Sequence, residues 1–369
     1  MSLIYSAKRF FSLVAGILLF STAFASGHES GEKKEFNVGE MIMHHIKDAH
    51  EWHLWGGEHG GKTIYLPIIL IDGGVKTFSS SHFYHGEPAT GHDHKTNEEV
   101  HYVKGVGPAA GYAIFHEKIY KLENGELSFE DGHAHAEKPL DFSITKNVLS
   151  LFMGAILILV LMSIVARFYK KNGPVAPKGL AKYLEVLIVM VRDDIAKANI
   201  GEHKYKKYVP YLLTIFFFIF INNLLGLVPF LPGGANLTGN ISVTLFLAVA
   251  TLLVTLFSGN KNYWGHIFAM PGVPWPVLII LIPIEIVGIF TKPFALMVRL
   301  FANMTAGHII VLALISIIFI NENMAWGGLS VPMALFISVL ELLVAFLQGF
   351  LFAMLSALFI GAAVEEAHH

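Results

Sequence analysis

The chain of 369 residues contains no cysteine, so disulfides, thiolate metal sites and cysteine nucleophiles are excluded. Charge is scarce as well, since charged residues make up 15% of the sequence against about 25% in soluble globular proteins. The net charge is only -2 with neutral histidine, and no overall field indicates a nucleic-acid partner. Hydrophobic residues make up 54% of the chain. A lipid bilayer must therefore be the solvent for much of it.

Histidines and charges are concentrated in one part of the chain. Fourteen of the 19 histidines lie between His28 and His135, and residues 26–143 carry 19 acidic and 10 Lys or Arg side chains. From residue 144 onward, long apolar runs dominate. We therefore predict two parts, an N-terminal domain of residues 26–143 and a membrane domain of residues 144–369.

The first 25 residues have the pattern of a secretory signal peptide. Lys8 and Arg9 precede an apolar run over residues 10–20, and the small-residue pattern Ala-Phe-Ala ends at Ala25. Cleavage after Ala25 would place the N-terminal domain outside the cytoplasm, in the periplasm. The alternative is an uncleaved membrane anchor, although the apolar run is short for a membrane-spanning helix.

The N-terminal domain is predicted to be a small mixed α/β or β-hairpin domain. Residues 63–71 and 75–83 flank an Asp-Gly-Gly turn, and residues 112–122 and 126–129 flank a Glu-Asn-Gly turn. Residues 41–55 have the three- and four-residue spacing of an amphipathic helix.

The membrane domain is predicted to be all-α and polytopic. Apolar runs of about 20 residues or more indicate about five membrane helices, at residues 147–168, 208–230, 241–259, 275–320 and 331–364. The phenylalanine cluster at residues 216–220 is expected to face lipid, and Asn222 to pack helices together.

The segment between the first two apolar runs is predicted to be cytoplasmic. Residues 167–207 carry ten Lys or Arg side chains against four acids, which the positive-inside rule places in the cytoplasm. An amphipathic helix at residues 179–199 is expected there, lying along the membrane surface. Its apolar stripe consists of Leu180, Leu184, Leu187, Val191 and Ile195.

The last two apolar runs are too long for upright membrane helices. As single helices, residues 275–320 would extend about 69 Å and residues 331–364 about 51 Å, against a hydrocarbon core of about 30 Å. They must tilt, break or fold back, and Pro283 and Pro293 supply possible bends. The linker of residues 321–330 contains no Lys or Arg, as expected of an exterior turn, and this returns the C-terminus to the cytoplasm.

Four charged residues lie within these apolar runs: Glu285, Lys292, Arg299 and Glu341. A charge at membrane depth costs roughly 3 kcal/mol even on the lenient insertion scale, and indicates a functional site by default. Arginine cannot escape this cost by losing its proton. Arg299 must therefore have a partner anion or water.

If the last two runs form an antiparallel hairpin, residues at the same depth have residue numbers that add up to a nearly constant total. This places the polar residues in two groups, called stations here, at two different depths. Arg299 lies level with Gln348, and His308 lies level with Glu341, about 12 Å away along the helix. Arg299, with the amides of Asn303 and Gln348, can bind a carboxylate but cannot relay a proton. We expect that His308 and Glu341 could both titrate near physiological pH once their environment shifts them. Because His308 lies on the opposite side of an ideal helix from Arg299, its contact with Glu341 requires a bend at Gly307 or a water.

Residues 297–308 read Met-Val-Arg-Leu-Phe-Ala-Asn-Met-Thr-Ala-Gly-His, which resembles the signature of the a subunits of F-type ATP synthases. Residues 208–214, 222–229, 283–285 and 341–348 are similar to further segments of that family. The likeness covers roughly residues 145–367. The signature is highly specific, because a string of this kind inside an apolar run is distinctive of this family.

The resemblance implies a role for each polar residue. Arg299 would face the ring of c subunits, and His308, Glu341, Asn223 and Gln348 would line an aqueous half-channel from the outside. Glu285 would belong to an offset half-channel to the cytoplasm. His308 and Glu341 are exchanged in order relative to some bacterial members, and Gly226 stands where some relatives carry an acid.

The resemblance also implies the assembly. The chain would be the proton-conducting stator subunit in a bacterial inner membrane, with no catalytic site or cofactor of its own. Its partners would be the c ring, the b stalk, the catalytic head reached through that stalk, and membrane lipid, and its substrate would be H⁺. It would couple proton translocation to rotation and ATP synthesis. A secondary metal transporter would instead show an embedded His/Asp site and an internal repeat, and a membrane enzyme would show a catalytic constellation at membrane depth.

The histidines of the N-terminal domain leave several interpretations open. His92 with His94, and His133 with His135, have spacings that could chelate Zn or Cu. These spacings match no recognised metal motif. The alternatives are solvated or partly packed histidines and a local proton buffer near the channel mouth.

Overall fold

The computed structural model describes residues 39, 42, 47–55, 62–93, 95–96, 99–228, 234–268, 270, 273–321 and 323–365. The predicted signal peptide at residues 1–25 lies outside the described residues, as does His94.

The N-terminal domain contains eleven short strands among its described residues. They are β1 Glu51–Trp55, β2 Lys62–Tyr65, β3 Pro67–Ile71, β4 Val75–Ser79, β5 Glu87–His92, β6 Glu99–Lys104, β7 Tyr112–Phe115, β8 Lys118–Lys121, β9 Ser128–Glu130, β10 His133–His135 and β11 Leu140–Asp141. A four-residue helix, α1 Ser81–Tyr84, follows β4. The strands form four antiparallel sheets, with orders β1-β2, β9-β10, β11-β3-β4 and β5-β6-β7-β8. A small strand-containing domain is therefore confirmed.

Three local predictions for this domain are wrong. Residues 51–55, expected to end a helix, form β1, because their ladder with β2 supplies the backbone hydrogen bonds. The second strand of the first hairpin ends at Ser79, before α1. Residues 112–122 are themselves a hairpin that turns at His116 and Glu117, both with positive φ. A tight turn with two positive-φ residues normally carries Asn or Gly. Because His and Glu occupy these positions here, the turn could not be recognised in the sequence.

Two apolar clusters hold the domain together. One contains Ile68, Leu70 and Phe83, and the other contains Phe115 and Phe129. These clusters lie between the sheets and leave the strand edges and turns exposed.

The rest of the chain is helical. In chain order it forms α2 Lys146–Asn172, α3 Leu180–Met190, a π-helical turn Val191–Lys197, α4 Ala198–Ile200, α5 Tyr205–Leu227, α6 Ile241–Ser258, α7 Lys261–Phe268, α8 Trp275–Ile320, a 3₁₀ turn Met324–Trp326 and α9 Gly327–Val364. Among the described residues, five helices (α2, α5, α6, α8 and α9) are long and apolar enough to cross a membrane. The predicted fold class, with two long C-terminal helices, is confirmed.

The two long helices are unbroken. α8 has 46 residues and continues through Pro283 and Pro293, and α9 has 38 residues. Breaking or folding back is thereby excluded for both runs. A continuous helix of 46 residues is about 69 Å long, so its apolar length fits a core of about 30 Å only if it is strongly inclined.

The core of the helical part lies between α5 and α9. A Cβ added to Gly349 of α9 would lie 3.1 Å from the carbonyl oxygen of Phe216, so glycine permits this close approach. Phe216 and Phe217 are buried here. The expectation that the phenylalanine cluster faces lipid is therefore wrong for both rings.

The stripe predicted to lie on the membrane surface also packs against protein. Leu184, Val191 and Ile195 are buried in the cluster formed with α5 and α9. A different side of α3 is exposed and apolar, and carries Tyr183 and Val186. The sequence showed an amphipathic helix, but only packing determines which apolar side is covered.

Candidate functional site

His308 of α8 and Glu341 of α9 lie side by side. Nδ1 of His308 is 3.6 Å from Oε1 of Glu341, and both side chains are largely buried. α8 is helical through Gly307. The contact depends on the absence of a side chain at Gly307, because a Cβ there would collide with the Glu341 carboxylate. The missing side chain gives the carboxylate room to cross α8 and reach His308.

The same carboxylate faces a cleft between α8 and α9. The cleft has a volume of about 300 Å³, and its polar lining consists of Asn303, Glu341 and Gln348. The remaining lining is apolar or glycine. Three of the residues singled out in the sequence therefore meet in one cleft, and Glu341 connects it to His308.

Arg299 lies on the side of α8 that faces away from the bundle. The bundle-facing side buries Leu296, Leu300 and Met304, whereas Arg299 is exposed. It makes no ion pair or hydrogen bond with any residue of the described part of the chain. Its neighbours on this face are also exposed, and they are Lys292, Ala295, Ala302, Asn303 and Ala306. Arg299 thus sits within an open face of small residues.

A buried polar group adjoins the other side of His308. Asn223 of α5 is fully buried, and its Oδ1 accepts a hydrogen bond of 2.6 Å from the Thr238 hydroxyl. Its Nδ2 has no partner among the described residues. A Cβ on Gly226, one turn further along α5, would lie 3.8 Å from Nε2 of His308. Asn223 and His308 therefore lie at one end of the same helix interface.

Thr238 was missed by the sequence analysis. It lies in the connection before α6, and a threonine in a polar connection carries no signal. Its burial next to Asn223 identifies it only in the structure.

A second, smaller cleft lies elsewhere on α8. It has a volume of about 80 Å³ and is lined by Thr255, Tyr263, Lys292 and Phe359, among others. The ammonium of Lys292 lies 6.0 Å from the centre of the Phe359 ring. Burial raises the pKa of Tyr263, and the charge of Glu285 raises it further. Tyr263, on the short helix α7, was also missed by the sequence analysis.

The candidate metal-binding histidines lie on separate strands. His92 ends β5, whereas His133 and His135 lie on β10, and Nε2 of His135 is 3.5 Å from the Glu130 carboxylate. Within the part of the chain that the structure describes, no group of three or more His, Asp or Glu side chains could hold a metal ion.

The chemistry of this set is proton transfer and charge stabilisation. An imidazole and a carboxylate in close contact can exchange a proton. A guanidinium keeps its charge and its five donors. The described residues therefore combine one pair that can exchange a proton with one cation that cannot release one.

Comparison with known proteins gives a consistent result. Residues 148–361 match the ATP synthase A chain family, and residues 41–142 match a domain of unknown function, DUF8433. "ATP synthase subunit a 2" of Chlorobium luteolum is 46% identical over 77% of this chain and 83% of its own length. "ATP synthase subunit a" of Chloroherpeton thalassium is 41% identical over 84% of this chain and 90% of its own. The protein of that name from Anaeromyxobacter sp. is 45% identical over 94% of this chain and 74% of its own.

Proposed function

The chain belongs to the ATP synthase subunit a family, and from this membership and its geometry we propose how it conducts protons. Members of this family are multi-pass membrane components of the ATP synthase complex, with no catalytic site of their own. In our proposal the N-terminal domain of residues 26–143 is periplasmic, after loss of residues 1–25, and the C-terminus is cytoplasmic. The ion carried is H⁺, because an imidazole stands in the path.

The outer half-channel runs through the bundle to His308 and Glu341. Asn223 and Thr238 supply polar groups on its outer side, and Asn223 leaves Nδ2 free to bind water. His308 passes a proton to Glu341, which reaches across Gly307 into the cleft shared with Asn303 and Gln348. Glu341 thereby delivers the proton to the same open side of α8 that carries Arg299.

Arg299 is the partner of a carboxylate carried past it by the c ring. A protonated carboxyl can turn into lipid at far lower cost than a charged carboxylate. After nearly a full turn the carboxyl loses its proton, and Arg299 stabilises the resulting anion. Because the guanidinium cannot release a proton, it also blocks direct leakage between the half-channels. The ring is therefore expected to rotate in one direction, because the carboxyl enters lipid only when it is protonated and because protons cannot pass Arg299 directly.

The inner half-channel includes Glu285 and the cleft that contains Lys292 and Tyr263. It is offset along α8 from the His308–Glu341 pair, so a proton can cross the membrane only by travelling with the ring. This offset supplies the coupling between proton flow and rotation.

The observation that carries the proposal is the isolation of Arg299. A guanidinium at membrane depth requires an anion or water, yet Arg299 finds no such partner among the described residues and lies on an exposed face of small side chains. Small residues permit close approach of another helix. A rotor helix that carries a carboxylate satisfies both requirements.

The proposal is tested by purification in mild detergent. The chain should copurify with a c ring, a b stalk and a nucleotide-hydrolysing head, and Arg299 substituted by cysteine should cross-link to the c subunit. Purification as a free chain, with no c subunit attached, would overturn it.

A further inference from the structure

Three buried polar side chains, two on α2 and one on α5, have no role in the path described above. Asn147 and Ser150 of α2 are 5% and 1% exposed, and Asn222 of α5 is 2% exposed. Oδ1 of Asn147, Oγ of Ser150 and Oδ1 of Asn222 have no hydrogen-bond partner among the described residues. Buried polar atoms are nearly always paired, with protein or with ordered water.

The three side chains form one continuous line. Asn147, Ser150 and Gly154 lie three and four residues apart and therefore on one side of α2. A Cβ on Gly154 would collide with the Asn222 amide, so Asn222 lies against α2 at the level of Gly154. The steps along α2 are about 4.5 Å and about 6 Å. One water bridges two polar atoms across about 5.5 Å, so single waters fit these steps.

The line has two defined ends. At the end near Asn147, the N-terminal domain is hydrogen-bonded to the start of α2. Asp48 accepts hydrogen bonds from the Thr145 hydroxyl at 2.9 Å and from the Asn147 backbone N–H at 3.0 Å. At its other end Asn222 is followed by Asn223 of the outer half-channel, whose side chain lies about 100° further around α5. Beyond that point the α2–α5 interface is apolar, with Ile158, Leu161 and Val165 packed in the bundle core.

We propose that Asn147, Ser150 and Asn222 form a polar seam that holds ordered water and brings protons from the N-terminal domain to Asn223, as a second branch of the outer half-channel. This inference rests on the proposed function. The seam is closed towards the cytoplasm by the apolar packing around Val165, so a proton that enters it from the N-terminal domain cannot continue along α2 to the cytoplasm. The branch would start at the carboxylate of Asp48, within a domain rich in acids and histidines.

The absence of cysteine in the chain permits a direct test. Ser150→Cys changes one atom and places a single thiol in the seam, and Val165→Cys places one in the apolar part of the same interface. Both variants are assembled in the complete complex with cysteine-free partner subunits and reconstituted in vesicles. Ag⁺ is then applied from the side of the N-terminal domain, because it reacts with thiols that water reaches. Asn223→Cys serves as the reference for the outer half-channel itself.

Ser150→Cys should react with Ag⁺ nearly as fast as Asn223→Cys, and the modification should lower proton flux by about twofold, since a parallel branch carries a share of the current. Val165→Cys should not react. A Ser150→Cys variant as inert as Val165→Cys would overturn the seam, and a modified Ser150→Cys with unchanged flux would overturn its role as a proton branch. If Asn223→Cys is inert as well, the outer half-channel itself has failed. If Ser150→Cys does not assemble, Asn222→Cys tests the same line.

Discussion

Gly307 of α8 lies directly against the carboxylate of Glu341 on α9, so closely that a Cβ at position 307 would force the carboxylate to move. This contact explains how an acid on α9 serves both sides of α8. Glu341 touches His308, which faces the bundle, and also lines the cleft with Asn303 on the face of Arg299. The glycine therefore leaves room for the Glu341 side chain to approach α8.

Gly307→Ala should displace the Glu341 carboxylate from His308. We expect proton flux to fall by up to about tenfold, and by no more than in Glu341→Ala, because the substitution moves the carboxylate and does not remove it. Flux is measured in vesicles that contain the membrane sector stripped of its head. Gly288→Ala is the matched control, because a Cβ on that glycine of the same helix meets no atom within 4 Å. Equal flux in the two variants would show that the close approach has no role.

His308→Ala and Glu341→Ala should each slow proton flux by about tenfold or more, because each removes one member of a proton-relaying pair. The double variant should be no slower than the slower single variant, since the two groups act in series. Proton flux that is unchanged in both single variants would remove this pair from the path.

Thr238→Val should destabilise the protein, because it removes the only hydrogen bond shown for Oδ1 of Asn223 while keeping the side-chain shape. An unpaired buried acceptor costs about 1–3 kcal/mol. Thermal unfolding of the purified complex measures the effect. Thr291→Val is the control, since its hydroxyl bonds only the carbonyl of Val287 at an exposed position. A midpoint no lower for Thr238→Val than for the control would contradict the prediction.

The N-terminal domain contains an acid-sensitive loop. Backbone N–H groups of Gly132, Thr96 and Lys95 lower the pKa of Asp93 from 3.8 to about 2. Because the folded pKa lies below the ordinary value, this stabilisation is complete above pH 3.8 and is lost as the pH falls through about 2. Asp93→Ala should remove it at every pH and speed amide exchange at Gly132.

Hydrogen exchange of the intact chain, followed over residues 128–135, measures that effect. Asp131→Asn is the control, because this neighbouring carboxylate is exposed and contacts the Lys95 side chain, and asparagine tolerates the positive φ of this position. Exchange that is equally slow in Asp93→Ala and in the control would contradict the role of Asp93.

The membrane helices and the functional importance of Arg299 could be predicted from the sequence. Which side chains contact each other between the helices could not. Long apolar runs and the isolated Arg299 are local signals, because burying charge in lipid is costly wherever it occurs. The sum of residue numbers placed His308 level with Glu341, but an ideal helix put His308 on the opposite side from Arg299, so that contact with Glu341 required a bend or a water. The structure shows how the contact forms, through the close approach of Glu341 to Gly307. The sequence could not predict this approach, because it depends on the distance between α8 and α9.

The remaining errors share one cause. Amphipathic spacing around Leu184 and the run at Phe216 show that a side is apolar, but not whether lipid or protein covers it. The strand at residues 51–55 was hidden because its ladder partner lies elsewhere in the chain. Thr238 and Tyr263 gave no signal, because ordinary polar residues become channel candidates only through burial beside another group.

The central claim is that Arg299 has its partner on a moving rotor. Arg299→Ala should abolish ATP synthesis driven by a proton gradient in the reconstituted complex, while Lys261→Ala, at an exposed position on α7, leaves it unchanged. The measurement is the rate of ATP formation after an imposed pH jump, with assembly checked by subunit composition. An assembled Arg299→Ala complex that makes ATP at the rate of the unmodified protein would contradict the account.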